Sequence, residues 1–337
     1  MKIAEVRALL GTYSRKQLEH IISEMYKSIP KQVKTEKDID LILTNPDGAA
    51  STRKKKAEKS LPDIVEMQMD IETFIEDARA SRYYSPNNVV PKKERSKWRF
   101  KVKRWYKDLQ SLAANREHTE QAAELLEKLY GVLCYACDYT TFSAYDPFES
   151  IGITQSEFFR TILAVKRRFQ GAVAFTEEAV ALIVSKSLNR YTLKEELMRF
   201  ALEFMETPDS IQLAIDACER ELEEEKTNPT PPENSWSDSD FSSKRMMNDY
   251  TEMILRCHNA LKSIDKGVEL FQNHYRHWDP EVKLYKLTRI LAECDQPEVF
   301  LREYDKAKKA GVKPRKRLVD LYKSVKEHGE FPEQQFF

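Results

Sequence analysis

The chain has 337 residues, and its 55 Lys and Arg balance 55 Asp and Glu, so the formal net charge at pH 7 is zero. A neutral chain has no general attraction for nucleic acid or anionic membranes, so any anionic partner must be bound by a local patch. Only 8 residues are glycine, which disfavours enzymes built on glycine-rich phosphate loops.

The N-terminus and the cysteines indicate the compartment. Charges at Lys2, Glu5 and Arg7 interrupt the apolar run that a secretory signal needs. The longest weakly charged stretch, 129–137, is about half as long as a membrane-spanning helix. Five cysteines are an odd number and lack the spacing of a disulfide scaffold. We therefore predict a cytoplasmic protein with reduced thiols and no membrane partner.

Short helices are predicted in the first 45 residues. A first helix covers 3–10, and a second follows Ser14, with Gln17 in the capping-box position. Thr35 is predicted to cap a third helix. The segment 47–60 contains several basic residues and no large apolar residue, so we predict an exposed basic loop.

A stripe of apolar residues separated by three or four positions predicts a helix after residue 61. The stripe consists of Ile64, Met67, Ile71, Phe74 and Ala78. Carboxylates also recur at helical spacing, at Asp63, Glu66, Asp70 and Asp77. A metal or acid/base cluster is one interpretation of these carboxylates. We favour a solvent-exposed face opposite the apolar stripe, because it accounts for the same spacing without a ligand.

Helical patterns continue to residue 225. The predicted helices are 92–114, 118–141, 155–170, 176–189, 193–205 and 208–225, with Thr176 and Thr207 as cap residues. Three prolines and a Ser/Asp run then predict a linker or surface loop over 226–244. The predicted organisation is a helical domain over 1–225, this linker, and a helical domain over 245–337.

The C-terminal domain contains a self-match at 34 residues, a period typical of helical-hairpin repeats. The matched pairs are Pro280 with Pro314, Leu284 with Leu318, Leu287 with Leu321, and Leu291 with Val325. The stretch 282–314, with Tyr285 in its first helix and Gly311, Val312 and Pro314 in its closing turn, resembles one pentatricopeptide- or tetratricopeptide-type hairpin.

The resemblance implies an antiparallel helical hairpin. In the pentatricopeptide family it would also imply RNA reading by stacked repeats, but one copy cannot supply a sequence-reading surface. The rest of the chain resembles bacterial helical proteins, which implies no mechanism. The predicted fold is therefore all-α, with antiparallel hairpins and a repeat-like C-terminal part.

The segment 92–107 has nine basic residues and one acid, a local charge of +8. A helix is favoured over a strand, because an apolar stripe continues for four turns and strand alternation fails at Arg104 and Trp105. The stripe consists of Trp98, Val102, Trp105, Leu109 and Leu112. Phe100 then points away from the stripe, with Lys97, Lys103, Arg104 and Lys107 at helical offsets around it.

Two interpretations of this basic face stay open. Cations for phosphates and an aromatic ring for stacked bases are typical of single-stranded nucleic-acid binders, which makes Phe100 and its four basic neighbours candidate residues for an anionic partner. Alternatively, the acidic segment 195–225, with eleven acids and two bases, neutralises the face within the chain. A second, weaker basic patch covers 302–326.

Other possible chemical sites have weak patterns. Cys134 and Cys137 form a C-x-x-C on an apolar helix, which favours a buried thiol pair over a zinc or redox site. His274 and His277, with Asp279 nearby, lack a further metal ligand at a defined spacing. We therefore predict no catalytic residue, no cofactor and no metal.

The predicted function is that of a non-enzymatic helical scaffold that binds another macromolecule, with a protein as the first choice of partner. The alternative is nucleic-acid binding by 92–107. An enzyme on a helical core is the third possibility, because sites assemble from distant residues. Phe100 exposed in a basic groove would favour nucleic acid, an exposed apolar concave face would favour protein, and a deep pocket with converging polar groups would favour an enzyme.

Overall fold

The computed structural model describes residues 3–36, 39–45, 62–227 and 238–332. These ranges are helical with connecting turns and contain no β-strand, which confirms the predicted all-α class. Among the helices they contain, none is long and apolar enough to cross a membrane. The chain forms two compact units, Met1–Pro62 and Asp63–Phe337. The domain boundary predicted at 226–244 stays a prediction.

Within residues 3–36 and 39–45, the described part of the N-terminal unit, there are four short helices. They are α1 (Ile3–Leu10), α2 (Arg15–Ser28), α3 (Lys31–Glu36) and α4 (Ile39–Thr44). The backbone N–H of Ser14 donates to Gln17 Oε1 at 2.8 Å, so the predicted capping box is confirmed. Thr35 lies inside α3, and its prediction as a cap is wrong because the helix already begins after Pro30, where proline is well tolerated. The predicted loop 47–60 lies outside the described residues.

The second unit contains the remaining helices. Its first part comprises α5 (Ile64–Arg79), α6 (Lys92–Arg95), α7 (Trp98–Leu112), α8 (Thr119–Asp138), α9 (Pro147–Ile151), α10 (Gln155–Lys166), α11 (Ala172–Val184), α12 (Lys194–Phe204) and α13 (Pro208–Thr227). Its second part comprises α14 (Asp238–Ala260), α15 (Ile264–His274), α16 (Pro280–Glu293), α17 (Pro297–Lys309) and α18 (Lys316–His328). Helices α5, α7 and α10 all pack on α8. Helix α13 packs on α11 and α14.

Four local predictions for the second unit are wrong. The predicted helix 92–114 is interrupted between α6 and α7, where the Lys97 N–H closes a tight turn by donating to the Glu94 carbonyl. Thr176 is a buried residue inside α11, which begins at Ala172. Asp77 is buried and pairs with Arg82 at 2.7 Å, so it does not belong to the solvent-exposed face. The last part of the predicted linker, 238–244, is helical.

Two hydrophobic cores share helix α14. The first core contains the whole predicted stripe of α5 together with apolar side chains of α7 to α13, and α14 contributes Tyr250, Met253, Ile254 and Cys257 to it. The second core is built from α15 to α18, and α14 contributes Leu255. All ten residues from 249 to 258 are buried. This helix is therefore the common wall of both cores.

Because residues 249–258 of α14 are buried on all sides of the helix, the charged residues in this stretch need partners within the protein. Lys286 Nζ of α16 lies 3.4 Å from Glu252 Oε1 and 3.4 Å from Glu195 Oε1, at the start of α12. Arg256 pairs with Glu293 at 2.6 Å, and Asp249 pairs with Lys194. Arg289 completes the network by contacting both Glu195 and Glu293. Four cations and four carboxylates thus connect α12, α14 and α16; we call them the junction network.

The C-terminal self-match corresponds to buried positions. Leu284, Leu287 and Leu291 of α16 are buried, and so are their matches Leu318, Leu321 and Val325 of α18. Consecutive helices from α16 to α18 contact one another. The matched residues therefore form the apolar sides of two helices in one core, while the relation to a hairpin-repeat family stays a prediction.

A close approach between α14 and α15 predicts the effect of a glycine substitution. A Cβ at Gly267 would lie 2.8 Å from His258 Cβ and 3.3 Å from Leu255 Cα. We expect Gly267→Ala to lower the free energy of unfolding by about 1–3 kcal/mol. Gly131→Ala in α8 is the matched control, because nothing lies within 4 Å of its added Cβ, and it should raise stability by about 0.5–1 kcal/mol. Denaturant titration measures both, and a fully stable Gly267→Ala variant would contradict the close packing.

The junction network predicts a pH effect on stability. Burial raises the pKa of Glu252, although Lys286 opposes the shift; Glu195 and Asp249 raise this pKa further, and Arg256 lowers it. A raised pKa in the folded state gives a stability contribution that is present below the unfolded pKa, about 4.3, and is lost as pH rises through the folded value.

We therefore expect the free energy of unfolding of the wild type, relative to Glu252→Gln, to fall as the pH rises from about 4.3 towards neutrality. Denaturant titrations of both proteins across this range measure the difference. Glu298→Gln, at an exposed position of α17, controls for loss of a carboxylate. A difference that rises with pH would show that the neighbouring cations outweigh burial.

Candidate nucleic-acid interface

The inner face of α7 is fixed by aromatic packing. The predicted stripe from Trp98 to Leu112 is buried throughout, as the sequence analysis expects. The Trp98 ring stacks on Phe142 with centroids 4.0 Å apart, and Phe74 packs against Trp105 at 5.4 Å. Large buried aromatic side chains stabilise a packed surface strongly. The orientation of α7, and so of its outer face, is therefore set by this cluster.

The outer face of α7 exposes Phe100, as predicted. Its side chain is 63% exposed, and the Arg99 guanidinium lies 4.9 Å from the centre of its ring. Lys97, Arg104 and Lys107 are also exposed. The structure thus combines an accessible aromatic ring with a surrounding set of cations, and we call Lys97, Arg99, Phe100, Lys103, Arg104 and Lys107 the basic aromatic face.

The cations of this face have few acidic partners. Within the described chain, the ion pairs of residues 92–107 are Lys97 with Glu94 at 2.9 Å and Arg104 with Asp108 at 4.0 Å. The hydrogen bond from Lys97 lowers the pKa of Glu94, and the charges of Lys101 and Lys93 lower it further. Both acids come from the same stretch of chain, so the local charge stays strongly positive.

The acidic segment 195–225 forms its described ion pairs elsewhere. Glu195 belongs to the junction network, and Glu203 pairs with Arg160 of α10 at 3.2 Å. Helix α7 packs mainly on α8 and α9. The interpretation in which 195–225 neutralises the basic face therefore finds no support among the described contacts.

Lys103 is placed differently from the other four predicted residues. It is partly buried, and its Nζ lies 3.2 Å from the position that a Cβ of Gly152 would occupy. Gly152 ends helix α9 with φ of 66°, a left-handed conformation that glycine adopts without strain. Lys103 thus lies at the carboxyl end of α9, where a cation is favourable, and is less available to a ligand than Arg104 or Lys107.

Three residues outside the predicted set, Arg99, Tyr145 and Arg190, also form contacts between a cation and an exposed ring. Arg99 belongs to the basic segment 92–107. Its contact with Phe100 was not predicted, because adjacent residues of a helix do not normally face each other. Tyr145 is 69% exposed, and the Arg190 guanidinium lies 3.5 Å from its ring centre. These two residues are 45 positions apart in sequence, so no local pattern could have paired them.

The C-x-x-C pair has the properties of buried thiols. Cys134 is buried and Cys137 is partly buried, and neither forms a disulfide. Burial raises the pKa of Cys134 to about 12, and Cys137 donates to the Leu133 carbonyl at 3.3 Å. A high pKa keeps both groups protonated at neutral pH, whereas a reactive thiol needs a lowered pKa.

The histidine pair is involved in local capping. Asp279 accepts from the Glu281 N–H at 2.8 Å, and its own N–H donates to His277 Nδ1 at 3.0 Å. These contacts fix the turn before α16 and engage one ring nitrogen of His277 and one carboxylate oxygen of Asp279. No group of three or more His, Cys, Asp or Glu in the described ranges is arranged to hold a metal ion.

Comparison with protein-family models, with curated proteins and with solved structures finds no match to this chain. The resemblance of 282–314 to a helical-hairpin repeat stays a prediction. The function must therefore be argued from the charges, rings and cavities of this chain alone.

Proposed function

We propose that the protein is a non-enzymatic helical protein that binds single-stranded nucleic acid through the basic aromatic face of α7. The observation that carries this proposal is the exposed Phe100 ring among cations that lack acidic partners outside their own segment. Exposed aromatic rings stack on bases, and nearby cations bind the phosphates that follow them.

The length of α7 suits this function. Phe100, Arg104 and Lys107 occupy successive turns on one side of the helix, so phosphates of an extended strand can meet them in order. The face combines cations with one aromatic ring, the combination that binds single strands with little sequence preference. The exposed surface of the basic aromatic face suits the binding of an extended strand.

Charge removal tests the phosphate contacts. We expect the Arg104→Gln, Lys107→Gln double variant to bind a labelled single-stranded oligonucleotide more weakly, with the salt slope of log K reduced by about 1 to 1.5, since each phosphate contact on a single strand contributes about 0.7. Fluorescence anisotropy between about 50 and 200 mM salt gives the slope. Lys308→Gln, Lys309→Gln removes two exposed cations from α17 and serves as the control.

Phe100→Ala tests stacking in the same assay. It should weaken binding by about 5- to 150-fold, corresponding to about 1–3 kcal/mol for one stacked base, and leave the salt slope unchanged. A wild-type slope in the double variant, or no binding by the wild type, would refute the proposal.

Protein binding, by the N-terminal unit, is the second candidate function. Helix α2 has apolar residues at helical spacing, yet none of its described residues is buried. Ile22 is 47% exposed and Met25 is 60% exposed. An amphipathic helix is normally stabilised by burying its apolar stripe, so this face fits an apolar surface of a partner protein.

A pull-down tests this second candidate. We expect the wild type to retain a partner protein after nuclease treatment, and Met25→Glu to lose it, because a charge in an apolar interface is costly. Glu24→Gln is the matched control on the same helix. Capture that disappears with nuclease would instead indicate an interaction through nucleic acid.

A further inference from the structure

A cavity of about 380 Å³ lies beside the N-terminal end of α7. It is enclosed by the chain after α5, the turn between α6 and α7, and the segment around α9. Its volume is at the lower end of the range of ligand pockets, about 300–1,000 Å³. Lys92, Arg95 and Arg99 line it, and none of its lining residues is a carboxylate.

Arg95 is held in place by neutral groups. Its Nε donates to the Val90 carbonyl at 3.1 Å, and its Nη2 donates to the Asn87 carbonyl at 3.2 Å. The Asn87 side chain fixes this loop by accepting from the N–H groups of Val89 and Val90. Carbonyls orient the guanidinium without neutralising it, and its remaining N–H donors suit a planar, bidentate contact to phosphate.

Three serines line the cavity, and one of them, Ser150, already donates its hydroxyl to the Asp146 carbonyl. Ser96 and Ser143 line it, and their hydroxyls make no hydrogen bond to other parts of the described chain. Lys92 and Arg99 likewise form no ion pair there. Three cations and two available hydroxyls around one small space are the groups that a phosphomonoester, with its charge near −2 and three acceptor oxygens, would bind.

The cavity also has aromatic walls. Trp98 forms part of it and is itself held by the stack on Phe142. Tyr84, also in the lining, is 51% exposed, so one ring is free to stack on a planar group. A nucleotide carries both of the groups that this cavity suits, a phosphate and a planar ring.

The cavity adjoins the basic aromatic face through Arg99, which lines the cavity and also lies over Phe100. We propose that the cavity binds the phosphomonoester of a nucleotide, supplied by the end of a strand that lies on the basic aromatic face; the strand as its source rests on the proposed function. A free mononucleotide offers the same chemistry, and the experiment separates the two sources.

The experiment compares 5′-phosphorylated, 3′-phosphorylated and unphosphorylated single strands of one sequence by anisotropy, and adenosine 5′-monophosphate with adenosine by calorimetry. We expect a phosphorylated strand to bind about tenfold or more tightly than the unphosphorylated one, since charge-assisted hydrogen bonds to phosphate are the strong class. Lys92→Gln, Arg99→Gln should abolish this ratio. Arg104→Gln, Lys107→Gln should weaken all strands and keep the ratio.

Ser96→Ala, Ser143→Ala separates specific contacts from general charge. It leaves the three cations in place, so we expect the ratio to fall by about two- to fivefold through loss of two hydroxyl donors. Both serines are exposed, so we expect their substitution to leave the fold unchanged. Circular dichroism verifies that each variant stays helical.

Each outcome decides between the two proposals. Strands that bind with a ratio of one would overturn the nucleotide pocket and leave the proposed function standing. A ratio that persists in Lys92→Gln, Arg99→Gln would also overturn it. Binding of adenosine 5′-monophosphate over adenosine, lost in that variant, with no strand bound, would support the pocket with a free nucleotide as its ligand and refute the proposed function. No binding of any probe would refute both.

Discussion

The burial of residues 249–258 of α14 on all sides of the helix is the constraint on which the second unit depends. This stretch of α14 lies between two hydrophobic cores and has no solvent-exposed face. Its ten consecutive buried residues nevertheless include Asp249, Glu252 and Arg256. Ionised groups in such a position are tolerated only when they are paired. The junction network provides those pairs from α12 and α16, so α14 can be placed only where both helices are already in reach. Apolar burial holds the cores together, and charge pairing fixes how the helices are arranged around α14.

The zero net charge of the chain conceals a strongly positive segment, 92–107, which carries nine basic residues and one acid. Glu195, the first acid of the segment 195–225, is used inside the protein by Lys286 and Arg289. Glu203 of that segment pairs with Arg160 of α10. Surface fields are screened over about 8 Å at physiological salt, so acids committed at the junction cannot offset cations on a distant face. The zero net charge is therefore a sum over separated regions, and the basic face of α7 keeps its own potential.

The spacing of apolar residues predicts which side chains are buried wherever one helix face packs against the core. The stripe of α5 and the stripe of α7 follow from periodicity alone, and the exposure of Phe100 follows from its offset from that stripe. Sequence reasoning failed where tertiary contacts decide. Thr176 has the chemistry of a cap, but a longer buried α11 extends past it. Asp77 shares the spacing of a solvent-exposed face, but Arg82 is close enough to pair with it in the core. The cavity beside α7 combines residues from 84 to 150, a set that no local pattern predicts.

An exposed apolar side chain by itself needs no explanation, because single ones are common on protein surfaces. Phe100 differs because the core packing of α7 is complete without its side chain. The inner face of α7 is already closed by Trp98, Phe142 and Trp105, and the ring points away from that cluster into a field of cations. The same aromatic cluster holds Trp98 at the wall of the cavity, and Arg99 connects the cavity to the ring. One buried aromatic cluster therefore positions both the exposed Phe100 ring and the Arg99 guanidinium at the cavity, and the proposed binding surface includes both the face and the cavity.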